Sequence, residues 1–498
     1  MSDRIQSPKE NGVFKTSIVT SLILLISQSA FALPIDWHGV LGFDTTRLDS
    51  YRRIESTTFG GNTAGSQEIE LPNGKSVNGN WQSYIFRLQP NIVINDSATI
   101  KAELSSGYAR GGFVGDNSTL SQQSGTANQL YQYNFSQGDD ELVVNQLYAE
   151  LYSDTATYVL GRHPQHFGLG AVVDSGEDTW DRFSYLRDGI TVKIKLGNFK
   201  IEPYWTRVNA GNSLTKGTRT KDYGVSLVYD SVDRDMAFGI LYNKKQTTQA
   251  SSAYTTTVDG ASDPNSAATA LGATDVKMTD LYFKKSFGTF DFGIEVPIMS
   301  GEIGSVFGSQ TAYKGQAIIV EANYQASNSW SFGANFGKVN GDDGLDNTVD
   351  AMYLNPNYQV ANLLFRYNLR GIADSGNYNV YDSYIHNATY FKLHALYSRE
   401  KWRWNIGLIM AKADQVATAG QTSYNHLRNE RFTANFTQDD NLGTEFDTGF
   451  TYHWNSEIAV EGQFGYLLTG DYFGYTNTAT PNSVDDSYIL QLRTSIRF

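Results

Sequence analysis

The sequence predicts a single all-β domain: an antiparallel sheet closed into a transmembrane barrel whose outer face meets lipid. Three observations predict it. Apolar and polar residues alternate along most of the chain beyond Leu33, short and long connections alternate, and the polar parity carries charges of both signs. Hydrophobic residues fill 40% of the 498 positions, less than a large two-sided core leads one to expect, whereas Tyr (31) and Phe (27) are abundant. The chain has no cysteine, which excludes a disulfide framework and thiolate metal sites.

Residues 1–32 read as an export signal. Lys9 and Lys15 supply positive charge, Ser17–Ser27 is a short apolar run, and Ala30–Ala32 offers a small-residue cleavage site. The run is shorter than the roughly 20 residues a spanning helix needs. The remainder, 33–498, is expected to be one barrel.

The strands follow in order. In Tyr84–Ile94, residues Tyr84, Phe86, Leu88, Pro90, Ile92 and Ile94 share one face, and Arg87, Gln89 and Asn91 the other. After a short turn, Ile100, Ala102 and Leu104 alternate with Lys101 and Glu103. The pattern recurs at Ile190–Leu196, Tyr223–Tyr229, Phe290–Ile298, Trp330–Phe336, Trp402–Met410 and Phe446–Trp454. Short turns follow every second strand, and between them lie long polar stretches: 50–80, 111–141, 165–187, 209–220, 247–277, 301–313, 341–387, 414–441 and 469–485. One short end and one long end is the pattern of bacterial outer-membrane barrels, with short periplasmic turns and long external loops. Nineteen candidate strands are one too many, because both termini should be periplasmic and the count even. Tyr358–Asn368 is the weakest, so 341–387 becomes one external excursion that folds in part into the pore. That leaves 18 strands, with 16 as the nearest rival.

If the apolar parity faces lipid, the charged parity lines the lumen, and an open sheet edge is excluded because lipid cannot satisfy its amides. Trp205, Trp330, Trp402 and Trp454 at strand ends suit interfacial girdles. The expected lumen lining includes Arg87, Lys101, Glu103, Glu150, Lys193, Lys195, Glu202, Asp291, Glu295, Arg403, Glu445, Asp447 and Arg493. Such residues either stiffen the wall as ion pairs or make a charged aqueous path that selects solutes.

Three stretches, Leu160–Gly170 with Arg162, Leu442–Trp454 with Glu445 and Asp447, and Glu461–Phe473, resemble large porins and export barrels of the alginate-export type. The resemblance implies an 18-stranded channel with in-folded loops and a charged conduit, and it places Arg162, Glu445 and Asp447 in the lumen. The mixed-sign lining departs from a strongly basic polyuronate conduit.

Other chemistry finds little support. His163 and His166 would face opposite sides of a strand, without a third ligand nearby. Asp342, Asp343 and Asp346 lack EF-hand spacing, and a polar external loop is the first reading over a calcium site. There is no G-x-S-x-G elbow, no phosphate loop and no basic nucleic-acid patch, so no enzyme, cofactor or nucleic-acid partner is expected.

The last stretch, Ser487–Phe498, puts Tyr488, Leu490, Leu492, Ile496 and Phe498 on one parity and Gln491, Arg493, Ser495 and Arg497 on the other. Tyr488, Leu490 and Phe498 are expected to form an assembly signal read by the barrel-insertion machinery, with this strand closing onto the one near Trp37. The expected function is passage of small hydrophilic solutes across the outer membrane, in contact with its lipid and lipopolysaccharide. The alternative is a structural or adhesive barrel with a closed lumen. Oligomeric state is left open.

Overall fold

A computed structural model describes residues 34–52, 78–106, 108–114, 142–209, 220–247, 274–306, 309–368, 380–427, 430–477 and 482–498. The expected export signal and much of the stretches 50–80, 111–141, 209–220 and 247–277 lie outside the described residues.

Among the described residues, eighteen strands form the wall, as the even-count reading expects. The first six are β1 (Ile35–Asp49), β2 (Gly79–Asn95), β3 (Ala98–Ser106), β4 (Leu142–Tyr152), β5 (Ala156–Pro164) and β6 (Leu186–Leu196). Then come β7 (Phe199–Asn209), β8 (Thr220–Ser231), β9 (Met236–Thr247), β10 (Asp275–Phe287), β11 (Phe290–Val306) and β12 (Ala317–Gln325). The last six are β13 (Trp330–Val339), β14 (Ala388–Arg399), β15 (Trp402–Ala413), β16 (Asn441–His453), β17 (Ile458–Thr469) and β18 (Ser487–Arg497). Each pairs antiparallel with its sequence neighbour. β18 returns to β1, with Val40 opposite Arg497 and Asp49 opposite Tyr488, so no wall edge is left open. Tyr358–Asn368 is not a strand.

The turns at one end hold two to four residues, whereas the connections at the other end are long. The external ends are therefore the long-loop ends. Side chains alternate cleanly: in β18 Ser487, Ile489, Gln491, Arg493 and Ser495 are buried toward the lumen, while Tyr488, Leu490 and Leu492 are exposed outward. Phe43, Leu147, Ile190, Phe332, Leu408 and Phe446 continue this apolar outer face around the wall. An apolar exterior on a closed sheet is stable in lipid and not in water, so the barrel spans a membrane.

The lumen is partly filled. The connections after β5 and after β13 turn inward, and residues 341–368 and 380–387 carry apolar side chains that the wall buries. Met352, Leu354, Leu363 and Leu364 pack with Ile319, Ile409, Leu467 and Ile489 of the wall. These residues would be costly to expose on a loop tip, and their burial holds the segment inside.

Candidate functional site in the barrel lumen

The charged lumen residues of the wall grip two inner segments, 165–185 and 341–368. Arg87 of β2 is buried and donates to the carbonyls of Gly176 and Asp178, each at 2.7 Å. Arg110 donates to the Gly176 carbonyl at 2.6 Å and forms a buried pair with Glu103 at 2.7 Å. Gly176 has φ +70°, and an added Cβ would lie 2.0 Å from the Phe183 carbonyl oxygen, so the turn between these arginines requires glycine. On the far wall the Glu295 carboxylate accepts from the amide of Leu169.

The second segment hangs on β16. The Leu363 and Leu364 amides donate to Glu445 at 2.7 Å each, and the Asn362 amide donates to Glu445 at 2.8 Å and Asp447 at 3.1 Å. Just beyond, Phe365 adopts φ +65°, a left-handed conformation disfavoured for a bulky residue. The three anchored amides hold that turn, which carries the chain on to Arg366. The two segments also bind each other: the Asn355 amide donates to the Ala171 carbonyl at 2.7 Å, and Asn357 Nδ2 donates to Asp174 at 3.1 Å and to the Phe183 carbonyl at 2.9 Å.

Between these segments and the wall of β1, β17 and β18 lies a cavity of about 300 Å³. Arg182, Arg366, Arg493 and Arg497 line it together with Asp44, Asp178, Asp181 and Glu461. The numbers of cations and carboxylates match, but their partners differ. Asp44 already accepts from Thr46 Oγ1 at 2.6 Å and Gln491 Nε2 at 2.7 Å, and lies 3.4 Å from Arg493. Burial pushes the Asp181 carboxyl up to about 6, aided by the nearby Asp174 and Asp178 carboxylates. Arg182 stacks its guanidinium 3.8 Å from the centre of the Tyr381 ring and donates to Ser83 Oγ at 2.9 Å. Arg493 stands 4.9 Å from the centre of the Trp180 ring, and Arg497 Nε donates to Thr179 Oγ1 at 2.7 Å. Among the described residues Arg182, Arg366 and Arg497 form no ion pair with a carboxylate. Burial lowers the Arg366 guanidinium, and the charge of Arg493 lowers it further. Three of the four arginines thus face the cavity outside any ion pair among the described residues.

The remaining expected lining residues fall into separate groups. Lys101 pairs with Glu150 at 2.8 Å, and Lys193 approaches the same carboxylate at 3.9 Å. Glu202 accepts from Gln165 at 3.3 Å. Lys195 stands opposite Lys200, which pairs with Asp230 at 2.8 Å toward the periplasmic end. Asp291 accepts from Ser286 beside a periplasmic turn, and Arg403 is exposed at that mouth.

Arg162 is a correction. It shares the outward parity of Tyr158 and Leu160, and forms a two-pronged pair with Asp188, 2.7 Å for each bond, on the outer face. Strand parity places it there, and the resemblance that put it in the lumen does not hold at this position. The acidic run Asn340–Asn347 also has a structural account. Asp342, Asp343 and Asp346 accept from the amides of Gly344, Leu345 and Thr348, each closing a local turn. No cluster fit to hold a metal occurs among the described residues.

Sequence reasoning missed Arg182, Arg366 and the inner segment 165–185, since connections carry no period that fixes facing. Arg497 was within reach, because it shares the parity of Arg493.

No protein-family profile matches the chain, and no curated protein matches it. Solved structures do align with most of the chain. The chain is similar to Pseudomonas aeruginosa OccK9 (OpdG), at 13% identity and TM-score 0.48, over 93% of this chain and 99% of that one. It is similar to Pseudomonas aeruginosa OpdQ at 11% identity and TM-score 0.48, over 93% and 97% of the two chains. It is likewise similar to Pseudomonas aeruginosa OccK2 (OpdF), solved in complex with glucuronate, at 10% identity and TM-score 0.46, over 93% and 98%.

Proposed function

We propose that this chain is a porin-like channel of the bacterial outer membrane, passing small hydrophilic solutes with a preference for small anions. The observation that carries the reading is the lumen cavity in which Arg182, Arg366, Arg493 and Arg497 converge, three of them outside any ion pair among the described residues. A small carboxylate entering it would find guanidinium donors on both the wall and the inner segments, a geometry suited to bidentate capture.

Planar-bilayer recording tests this. The folded protein is expected to give step currents whose reversal potential in a salt gradient favours anions. Replacing Arg366 and Arg493 with Ala should shift that preference toward cations. Absence of step currents would support the closed, structural barrel instead.

Assembly belongs to the same proposal. The outward residues Tyr488, Leu490 and Phe498 would present an aromatic-ended strand to the barrel-insertion machinery. Phe498→Asp is expected to lower the amount of assembled, heat-modifiable barrel in outer-membrane fractions; unchanged assembly would remove Phe498 from that role.

A further inference from the structure

On the outer face of the barrel one sector concentrates positive charge near the external ends. Counting along the lipid-facing parity, Arg207 of β7 stands opposite Lys221 of β8, and Lys244 of β9 stands opposite Lys277 of β10. Like charges directly opposite on one sheet face are destabilising. Lys221 is opposite Gln246 on its other side, so Lys244 is its diagonal neighbour and the four cations run without a break over four adjacent strands. At a spacing of about 4.8 Å per strand the run is about 14 Å wide.

Three outward carboxylates border it without cancelling it: Asp188 opposite Arg207, Asp275 opposite Glu302, and Glu302 itself, diagonal to Lys277 and accepting from Gln310 Nε2 at 2.8 Å. Asp188 is held in the two-pronged pair with Arg162, and Asp275 pairs with Lys244 at 2.9 Å. Arg207, Lys221 and Lys277 have no ion pair among the described residues. Trp205 and Tyr242, both exposed on this face, flank the run and mark the height of the membrane interface. The periplasmic ends of the same strands are different: Leu196, Phe199, Tyr229 and Phe238 face outward there, with Lys285 as the charge.

We propose that Arg207, Lys221, Lys244 and Lys277 form a docking site on the barrel exterior for the phosphate groups of the phosphorylated glycolipid in the outer leaflet. Both observations, the like-charge pairs and the confinement to the external ends, fit an anion supplied at that height by the membrane. The phosphate offsets the repulsion across both pairs, while the acyl chains lie along the apolar face below. The inference rests on the outer-membrane placement proposed above and is independent of what the lumen passes.

The test uses the full chain in detergent, titrated by native mass spectrometry with lipopolysaccharide, the same glycolipid stripped of its phosphates, and inorganic phosphate. Lipopolysaccharide is expected to bind at least tenfold more tightly than the dephosphorylated form, and inorganic phosphate to compete only weakly. Arg207→Gln with Lys221→Gln, and separately Lys277→Gln, should each lower lipopolysaccharide affinity several-fold. Arg207→Lys with Lys221→Arg should retain it. Lys338→Gln with Lys412→Gln, outward cations in another sector, should leave it unchanged. Equal binding of the dephosphorylated form would overturn the proposal, as would equal loss in the Lys338/Lys412 variant. Tight competition by inorganic phosphate would make this a free-anion site and overturn lipid docking. Single-channel conductance of the Arg207/Lys221 variant is expected to match the parent, so a failed docking site and a failed channel are told apart.

Discussion

At the scale of single residues, Asp181 sets the sign of a pH effect. Its carboxyl is raised to about 6 by burial, so it is charged above that pH and neutral below it. Protonation removes a negative charge from a cavity lined by four arginines. Anion preference should therefore rise as pH falls from 7.5 to 5, and Asp181→Asn should show the acid-side preference at both values. Reversal potentials across a salt gradient measure this. His166, raised above its ordinary value by its pair with Asp174, does not line the cavity, so His166→Gln should leave the step in place. The raised carboxyl also means that this group favours folding more as pH falls through 6 toward its unfolded value near 4.

At the scale of elements, wall carboxylates act as hooks for backbone. Glu445→Ala strips acceptors from the Leu363 and Leu364 amides, at roughly 1–3 kcal/mol for each orphaned donor. The expected outcome is a looser inner segment with larger and noisier unit conductance, while barrel assembly stays normal. Gly176→Ala should disturb the other segment, since the left-handed turn costs a non-glycine residue about 1–2 kcal/mol before the clash with Phe183 is added. Protease access to 165–185 in the folded protein would report it. The elements themselves were legible where alternation is strong. Tyr84–Ile94 and Ser487–Phe498 declare their faces residue by residue, and the even strand count removed Tyr358–Asn368 from the wall. The cavity was only half legible. Arg493 follows from parity, but Arg182 and Arg366 sit on connections, where facing is set by tertiary hydrogen bonds rather than by any period. Glu445 and Asp447 could be placed in the lumen from sequence, yet their use as backbone acceptors depends on what folds back onto them.

At the scale of the whole molecule, closure depends on the seam between β1 and β18. Phe498 extends that seam: Gly39 and Phe498 exchange two backbone bonds, at 2.8 and 3.2 Å, and the Phe498 ring lies where a side chain at position 39 would stand. An added Cβ would come within 2.4 Å of that ring. Gly39→Leu is thus expected to lower the yield of heat-modifiable barrel, read on unheated gels. The bonds joining Asn355 and Asn357 to segment 165–185 carry a last consequence. Two flaps hinged separately would let a current record visit four levels, one for each combination. Flaps tied to each other open and shut in concert, so a single molecule should dwell at two levels, and Asn357→Ala should bring intermediate levels into the record.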